Sequence, residues 1–308
     1  MTHLIYAPLA LLFASAYPMP IGHQDGQEDA AQSEAEIIDI QRDRARRMTI
    51  PVRIGDNGPF SFLIDTGSER TAVSSRVAGE LQLEFAETAL LVSVAGSKVV
   101  ETVYLPDLTL GKQNYGEVVA PILEAQDIGA DGILGLDGLQ NQRVMFDFSA
   151  NTIAVEDVGG REAGSGYEIV VTARRRSGQL IFTDARIAGV RVNVVIDTGA
   201  QNNIGNRALQ RRLLGRIGRG VAPIQTELLS VTGQKISADA AFARKFEMGR
   251  LRFDQIGIAF ADAPTFAELG LEERPTLLLG MDTLRHFDRV AIDFKNRKVF
   301  FDIPDDPI

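Results

Sequence analysis

The residues best suited to chemistry are two aspartates, each at the end of an apolar run. They stand in Phe62-Leu63-Ile64-Asp65-Thr66-Gly67-Ser68 and in Val194-Val195-Ile196-Asp197-Thr198-Gly199-Ala200. A strand of such residues buries its backbone and leaves the acid at its end inside the protein. A buried carboxylate is costly unless it is hydrogen-bonded or paired. Two of them, one in each half of the chain, are expected to pair with each other. Two carboxyls sharing one proton form a general acid/base device. The ionised one takes a proton from water, and the protonated one donates to a substrate carbonyl oxygen. The glycine after each threonine lets backbone approach a carboxylate closely. Each threonine hydroxyl, Thr66 or Thr198, can hydrogen-bond across to the other half. A lone Asp-Thr-Gly is usually a turn; the repetition is what points to a site.

Composition narrows the chemistry. The chain has 308 residues, enough for two modest lobes. It is 45% hydrophobic and 24% charged, as soluble globular proteins are. A net charge of -9 and a pI near 5.0 argue against a nucleic-acid partner. The absence of cysteine excludes disulfides, thiol catalysis and cysteine metal sites. His3, His23 and His286 are the only histidines, and two of them lie near the N-terminus, which leaves little for a histidine triad or a zinc site. No cofactor or metal is expected, so a hydrolase built from these residues must activate water directly.

The motifs sit within an internal repeat. Val92-Ser93-Val94-Ala95-Gly96-Ser97-Lys98-Val99 is echoed by Leu229-Ser230-Val231-Thr232-Gly233-Gln234-Lys235-Ile236. Gly132-Ile133-Leu134-Gly135 is echoed by Leu277-Leu278-Leu279-Gly280, and Val144 to Phe148 by Val290 to Phe294. Landmarks recurring in one order indicate a duplication. Short strands at regular spacing make each half mostly β. Two such lobes related by a pseudo-two-fold would bring Asp65 and Asp197 together. The glycine-centred hairpins at Ala95, Gly96 and Ser97 and at Thr232, Gly233 and Gln234 are expected to act as flaps over an extended substrate. Short helices are predicted over Arg76 to Leu83 and Asn206 to Leu214. Asp137 and Asp282 read as helix caps, and Asp147 and Asp293 as turn or edge residues. Asp131 reads as a loop residue, His286 as a surface or core histidine, and Lys98 and Lys235 as solvated.

Residues 1-16 read as a signal peptide or short apolar segment, with Ala14-Ser15-Ala16 as a small-residue cleavage site. That pattern implies export, to the periplasm or outside the cell, with membrane tethering by the same segment as the alternative. Residues 17-47 read as a disordered linker, acidic and then basic through Arg42, Arg44, Arg46 and Arg47. An N-terminal lobe over 48-158, a Gly-rich linker over 159-166 and a C-terminal lobe over 167-308 complete the organisation.

On the motifs Asp65-Thr66-Gly67-Ser68, Asp197-Thr198-Gly199-Ala200, Ile133-Leu134-Gly135 and Leu278-Leu279-Gly280, the chain resembles the aspartic proteases of the pepsin/retropepsin superfamily. It is most similar to a retropepsin-like, duplicated single-chain bacterial type, because both halves carry a hairpin and neither hairpin carries a tyrosine. The resemblance spans roughly Met48 to Ile303. It implies a mostly β, bilobed acid-protease fold with the active site between the lobes. It implies an aspartic endopeptidase with Asp65 and Asp197 as the catalytic dyad, supported by Thr66, Gly67, Ser68, Thr198, Gly199 and Ala200. The implied partner is an extended polypeptide substrate, and the implied state is a monomer. The alternative is a non-catalytic peptide-binding module of the same fold. Within the dyad, the Ser68 hydroxyl is expected to donate to Asp65, for which Ala200 offers Asp197 no counterpart; Asp65 would then be the more ionised member.

Overall fold

Duplication in the sequence becomes two β lobes joined by a shared sheet. The computed structural model describes residues 4–7, 36–39, 41–42, 48–139, 141–157, 167, 169–176, 179–214 and 223–303. The chain is mostly β and bilobed. An eleven-stranded sheet builds the N-terminal lobe and an eight-stranded sheet the C-terminal lobe. A six-stranded sheet takes strands from both halves.

Each lobe places its acid with the same device. In the N-terminal lobe the strand Asn57–Ile64 runs into Asp65, with Gly132–Leu134 parallel beside Phe62 to Ile64. Ala72–Ser74 lies antiparallel on the far side of Gly132–Leu134. In the C-terminal lobe Val190–Ile196 runs into Asp197, and Thr276–Leu279 lies parallel beside it. Ile204–Gly205 then pairs antiparallel with Leu277 and Leu278. These central strands are apolar throughout because both their faces are covered: Phe62, Ile133, Leu134, Val194, Val195 and Leu277 have no exposed surface.

The shared sheet records the two-fold. Its central strands, Gln142–Asp147 and Arg289–Asp293, pair antiparallel with Val144 opposite Ile292, Met145 opposite Ala291 and Phe146 opposite Val290. The sequence repeat equates Val144 with Val290, Met145 with Ala291 and Phe146 with Ile292. The pairing is therefore reciprocal, and the axis passes between Met145 and Ala291.

Short helices end the motif strands. Ser74 caps Ser75–Glu80 by accepting the Val77 N–H at 3.2 Å. Asn206 caps Arg207–Leu213 by accepting the Leu209 N–H at 2.8 Å. Both are shorter than the sequence suggests, since Leu81 and Leu214 already serve as C-caps. Parts of the segment read as a linker are instead paired. Glu36–Asp39 edges the shared sheet against Thr152–Asp157, and Gln41–Arg42 pairs with Met48–Ile54. An open sheet edge offers unpaired N–H and C=O groups, which such a passing extended stretch satisfies. In the apolar N-terminal segment, Leu4–Ala7 runs parallel to Leu90–Ser93. The Ala14-Ser15-Ala16 site, the basic positions Arg44, Arg46 and Arg47, and the linker at 159-166 lie outside the described residues. Among the described residues, no helix is long and apolar enough to cross a membrane.

Asp293 is more than a turn residue. It accepts the Asn296 N–H at 2.8 Å, but it is also buried and receives the Arg143 guanidinium at 2.9 Å from the neighbouring strand of the other half. Removing one partner of a buried pair leaves the other uncompensated. Asp293→Ala is expected to cost about 3–5 kcal/mol in urea unfolding, and the double change Arg143→Met with Asp293→Leu to cost clearly less. A loss below about 1 kcal/mol, the range of an exposed pair, would show that the pair does not join the halves.

Candidate active site

The two acids lie where the pseudo-two-fold brings equivalent points together. Asp65 and Asp197 have no exposed surface. Asp65 Oδ1 accepts the backbone N–H groups of Gly67 at 2.8 Å and Ser68 at 3.1 Å. Asp197 Oδ1 accepts those of Gly199 at 3.1 Å and Ala200 at 3.0 Å. The N–H of Asp65 donates to Leu134 O, and that of Asp197 to Leu279 O, each at 3.0 Å. The repeated apolar-apolar-Gly segments thus pin the backbone of both acids.

The threonines join the halves. The Thr66 hydroxyl donates to Ile196 O at 2.9 Å and accepts the Thr198 N–H at 3.1 Å. The Thr198 hydroxyl donates to Ile64 O at 2.7 Å and accepts the Thr66 N–H at 3.0 Å. Four buried backbone groups at the strand ends are satisfied by two side chains, each from the opposite half. Gly199 passes so close to the Asp65 carboxyl that a Cβ at that position would overlap it. Glycine is required there by proximity, since any side chain would displace the acid.

Electrostatics separate the two carboxyls. Burial pushes the Asp197 carboxyl well above its ordinary value, and the negative charge of Asp65 adds to the rise. The N–H groups of Ala200 and Gly199 pull it back only in part, and a side-chain hydrogen bond with Asp65 raises it further. A buried pair in which one member holds a proton avoids placing two charges together.

Several residues take roles that the sequence does not announce. The Ser68 hydroxyl donates to the Arg70 carbonyl at 2.8 Å, which ties the loop after the first motif. The Ser68 backbone N–H serves the acid, and that of Ala200 matches it in the other half. Asp137 is not a helix cap: it accepts the Thr71 N–H at 3.0 Å and the Thr71 hydroxyl at 2.7 Å, fixing the loop after the first motif. Asp282 likewise accepts side-chain amides from Gln201 and from Asn202, the latter at 2.7 Å. Thr71 and Asn203 stand at matching places after their motifs. Each accepts the glycine N–H of the repeated segment, Gly135 at 3.2 Å and Gly280 at 3.0 Å. That pair of side-chain acceptors, each six residues past its aspartate, is a signal the sequence did hold. Gln179 held none: its side chain reaches across the halves to Gly67 O at 2.6 Å.

Other singled-out residues are structural. Asp131 accepts the Ser61 N–H at 2.9 Å and the Arg76 guanidinium. Asp147 closes a turn by accepting the Ser149 hydroxyl and the Ala150 N–H, each at 2.7 Å. Lys235 pairs with Glu227 on an exposed face, and His286 meets Phe253 edge-on at 5.8 Å.

The two hairpins expected to act as flaps both form, and they meet. In the first, Phe85–Ser93 and Gly96–Leu105 are joined at Val94 and Ala95, so Gly96 already pairs with Ser93 and Ser97 with Val92. In the second, Ile224–Leu229 and Lys235–Met248 are joined by Ser230 to Gln234, with Gly233 at φ +76°. The Gln234 amide lies against Gly96 and donates to Ser97 O at 3.5 Å. Thr232 is buried and shares a 2.7 Å hydroxyl contact with Ser230. Val94 packs into the apolar cluster of the C-terminal lobe with Val195, Leu228 and Leu278. Val231 packs into that of the N-terminal lobe with Leu91, Leu123 and Ile133. Each tip is therefore held by the opposite lobe.

A family model described as aspartyl protease matches residues 50–137 and 183–283, more than half of the chain. The chain belongs to the aspartyl protease family. A search of curated proteins finds no match. The two matched stretches hold one acid motif each, with the glycine segment that pins it. In this aspartyl protease, no group of three or more metal-ligating side chains occurs among the described residues.

The raised Asp197 carboxyl has a consequence for stability. Its folded-state value lies above its unfolded value, so its contribution is fully present below the unfolded carboxylate range. That contribution is lost as pH rises through the folded value. Asp197→Asn removes the ionisation without removing the shape. The variant is expected to be more stable than the parent at neutral pH, and the difference to shrink as pH falls below the ordinary carboxylate range. Urea unfolding across pH measures this; a variant that loses stability equally at every pH would contradict it.

Proposed function

We propose that this chain is an aspartic endopeptidase of retropepsin-like, duplicated single-chain form, with Asp65 and Asp197 activating a water. The observation that carries the reading is the pairing of two buried carboxyls on equivalent backbone donors, with one pushed well up by burial beside the other. We assign the proton to Asp197, whose carboxyl is raised by burial and by its neighbour's charge, and the negative charge to Asp65.

In the first step the water oxygen attacks the peptide carbonyl carbon. One water proton passes to Asp65, and Asp197 gives its proton to the carbonyl oxygen, so a neutral gem-diol forms. In the second, Asp65 returns its proton to the amide nitrogen as the C–N bond breaks, and one gem-diol hydroxyl returns a proton to Asp197. The pair regains its starting state. The substrate class is an extended polypeptide lying under the two hairpins. Ala95, Gly96 and Ser97 on one side and Thr232, Gly233 and Gln234 on the other are the candidate contacts.

Asp65→Asn and Asp197→Asn are each expected to lower the specificity constant on a diverse peptide library by at least about a thousandfold, within the range of acid–base catalysis. In the parent, activity should be bell-shaped in pH. Its alkaline limb should lie above the ordinary carboxylate range, because activity is lost when Asp197 gives up its proton. Full activity of either variant contradicts the dyad. Binding of peptides without cleavage by the parent would favour the peptide-binding module instead.

Both threonines and both acids come from one chain, so no second subunit is needed. Specific activity is expected to stay constant on dilution, with a single-chain mass by sedimentation. A loss on dilution accompanied by a dimer would contradict the single-chain reading.

A further inference from the structure

The C-terminal lobe holds a cavity of about 470 Å³ that the acid pair does not use. That is within the range of about 300–1,000 Å³ typical of ligand sites. One wall is the hairpin of Lys235–Met248 and Leu251–Phe260. The other is the stretch just after the second motif, with the helix Met281–Leu284. The lining is largely apolar, with Phe253, Ile256 and Ile258 inside. At the rim, Phe242 is 60% exposed and Ile224 65%. Large side chains so exposed beside a hollow mark a binding surface more often than chance.

The rim also carries a charge. The Asp282 carboxylate accepts side-chain amides from Gln201 and Asn202, both neutral donors. Among the described residues, no lysine or arginine lines the cavity. An apolar hollow with a carboxylate at its rim complements a cation on an apolar stem. The methylenes of arginine or lysine lie on apolar walls, the head reaches the carboxylate, and Phe242 and Phe253 offer aromatic faces.

The cavity is within reach of a substrate in the cleft. Asn202, on its lining, follows Asp197 by five residues, and a chain spans at most about 3.3–3.6 Å per residue. The Asn202 side of the cavity is therefore within about 18 Å of the Asp197 backbone, at most roughly five residues of extended peptide. Ile224 and Phe242 belong to the same two strands that carry the Ser230 to Gln234 tip. A peptide leaving the cleft beside that hairpin passes the cavity.

We propose that this cavity is an auxiliary site for the polypeptide substrate. It takes a large apolar residue next to an arginine or lysine, about five residues from the scissile bond, with the cation on Asp282. The inference rests on the endopeptidase reading only for the identity of its occupant, and the test separates the two.

A short cleaved peptide is extended at either end by a Gly-Ser spacer and then Phe-Arg, Phe-Gln or Phe-Glu. In the parent, the Phe-Arg peptide is expected to exceed the Phe-Gln peptide about tenfold in specificity constant at one end, with Phe-Glu lowest. That ratio should fall toward one in Asp282→Asn and, independently, in Phe242→Ser, whose exposed side chain is not needed for folding. The same peptides are titrated calorimetrically into Asp65→Asn protein, which leaves them uncut. Saturable binding of the Phe-Arg peptide, weakened about tenfold by adding Asp282→Asn, supports the site even if the parent cleaves nothing. A ratio near one in the parent, a ratio unchanged in both variants, or equal calorimetric affinity for the Phe-Arg and Phe-Glu peptides would overturn it.

Discussion

Burying two carboxyls side by side is the constraint that the structure is arranged to meet. Each would be costly alone, and two charges together costlier still. Backbone donors meet part of that demand: two N–H groups on each Oδ1, from the two residues that follow each threonine. The proton proposed for Asp197 meets the rest. The chemistry proposed for the pair is thus the same arrangement that makes its burial tolerable.

That arrangement demands that two strand ends, far apart in sequence, be held in fixed relation. The crossed threonine hydrogen bonds do this where the acids are, and the shared six-stranded sheet does it at the other end of the lobes. Within that sheet the buried Arg143–Asp293 pair, and at the first motif the Gln179 reach to Gly67, add contacts that only a correctly docked second half can make. Val94 and Val231 each pack into the opposite lobe, so the two hairpins are tied to the same pairing of halves. Displacing one lobe would disturb the acids, the threonines and both hairpin tips together.

The parts of this plan that depend on local sequence were legible. An apolar run ending in Asp-Thr-Gly, an apolar-apolar-Gly strand and a glycine-bearing hairpin each state their own conformation, and their recurrence states the symmetry. Partners chosen by tertiary position were not. Asp137 looks like a cap because it opens a helical turn, yet Thr71 claims it from the loop after the first motif. Gln179 carries no local signal, yet its side chain reaches across the halves to Gly67 O. Residues 237–275 yielded no assignment, although they form the long hairpin and the helix Pro264–Glu268 that wall much of the C-terminal lobe. Their alternation is broken at Lys245, which takes a positive φ of 55° and interrupts the period-two pattern.

The central claim is that Asp65 and Asp197 share one proton as a coupled pair. The most direct measurement is a carbon-13 NMR titration of the aspartate side-chain carboxyl resonances, assigned with the two Asn variants. The account expects one resonance of the pair to remain protonated well above the ordinary carboxylate range while its partner is ionised. It also expects that resonance to return toward the ordinary range when the partner is replaced by Asn, to the extent that Asp65's charge holds it up. Two carboxyls titrating independently at ordinary values would contradict it.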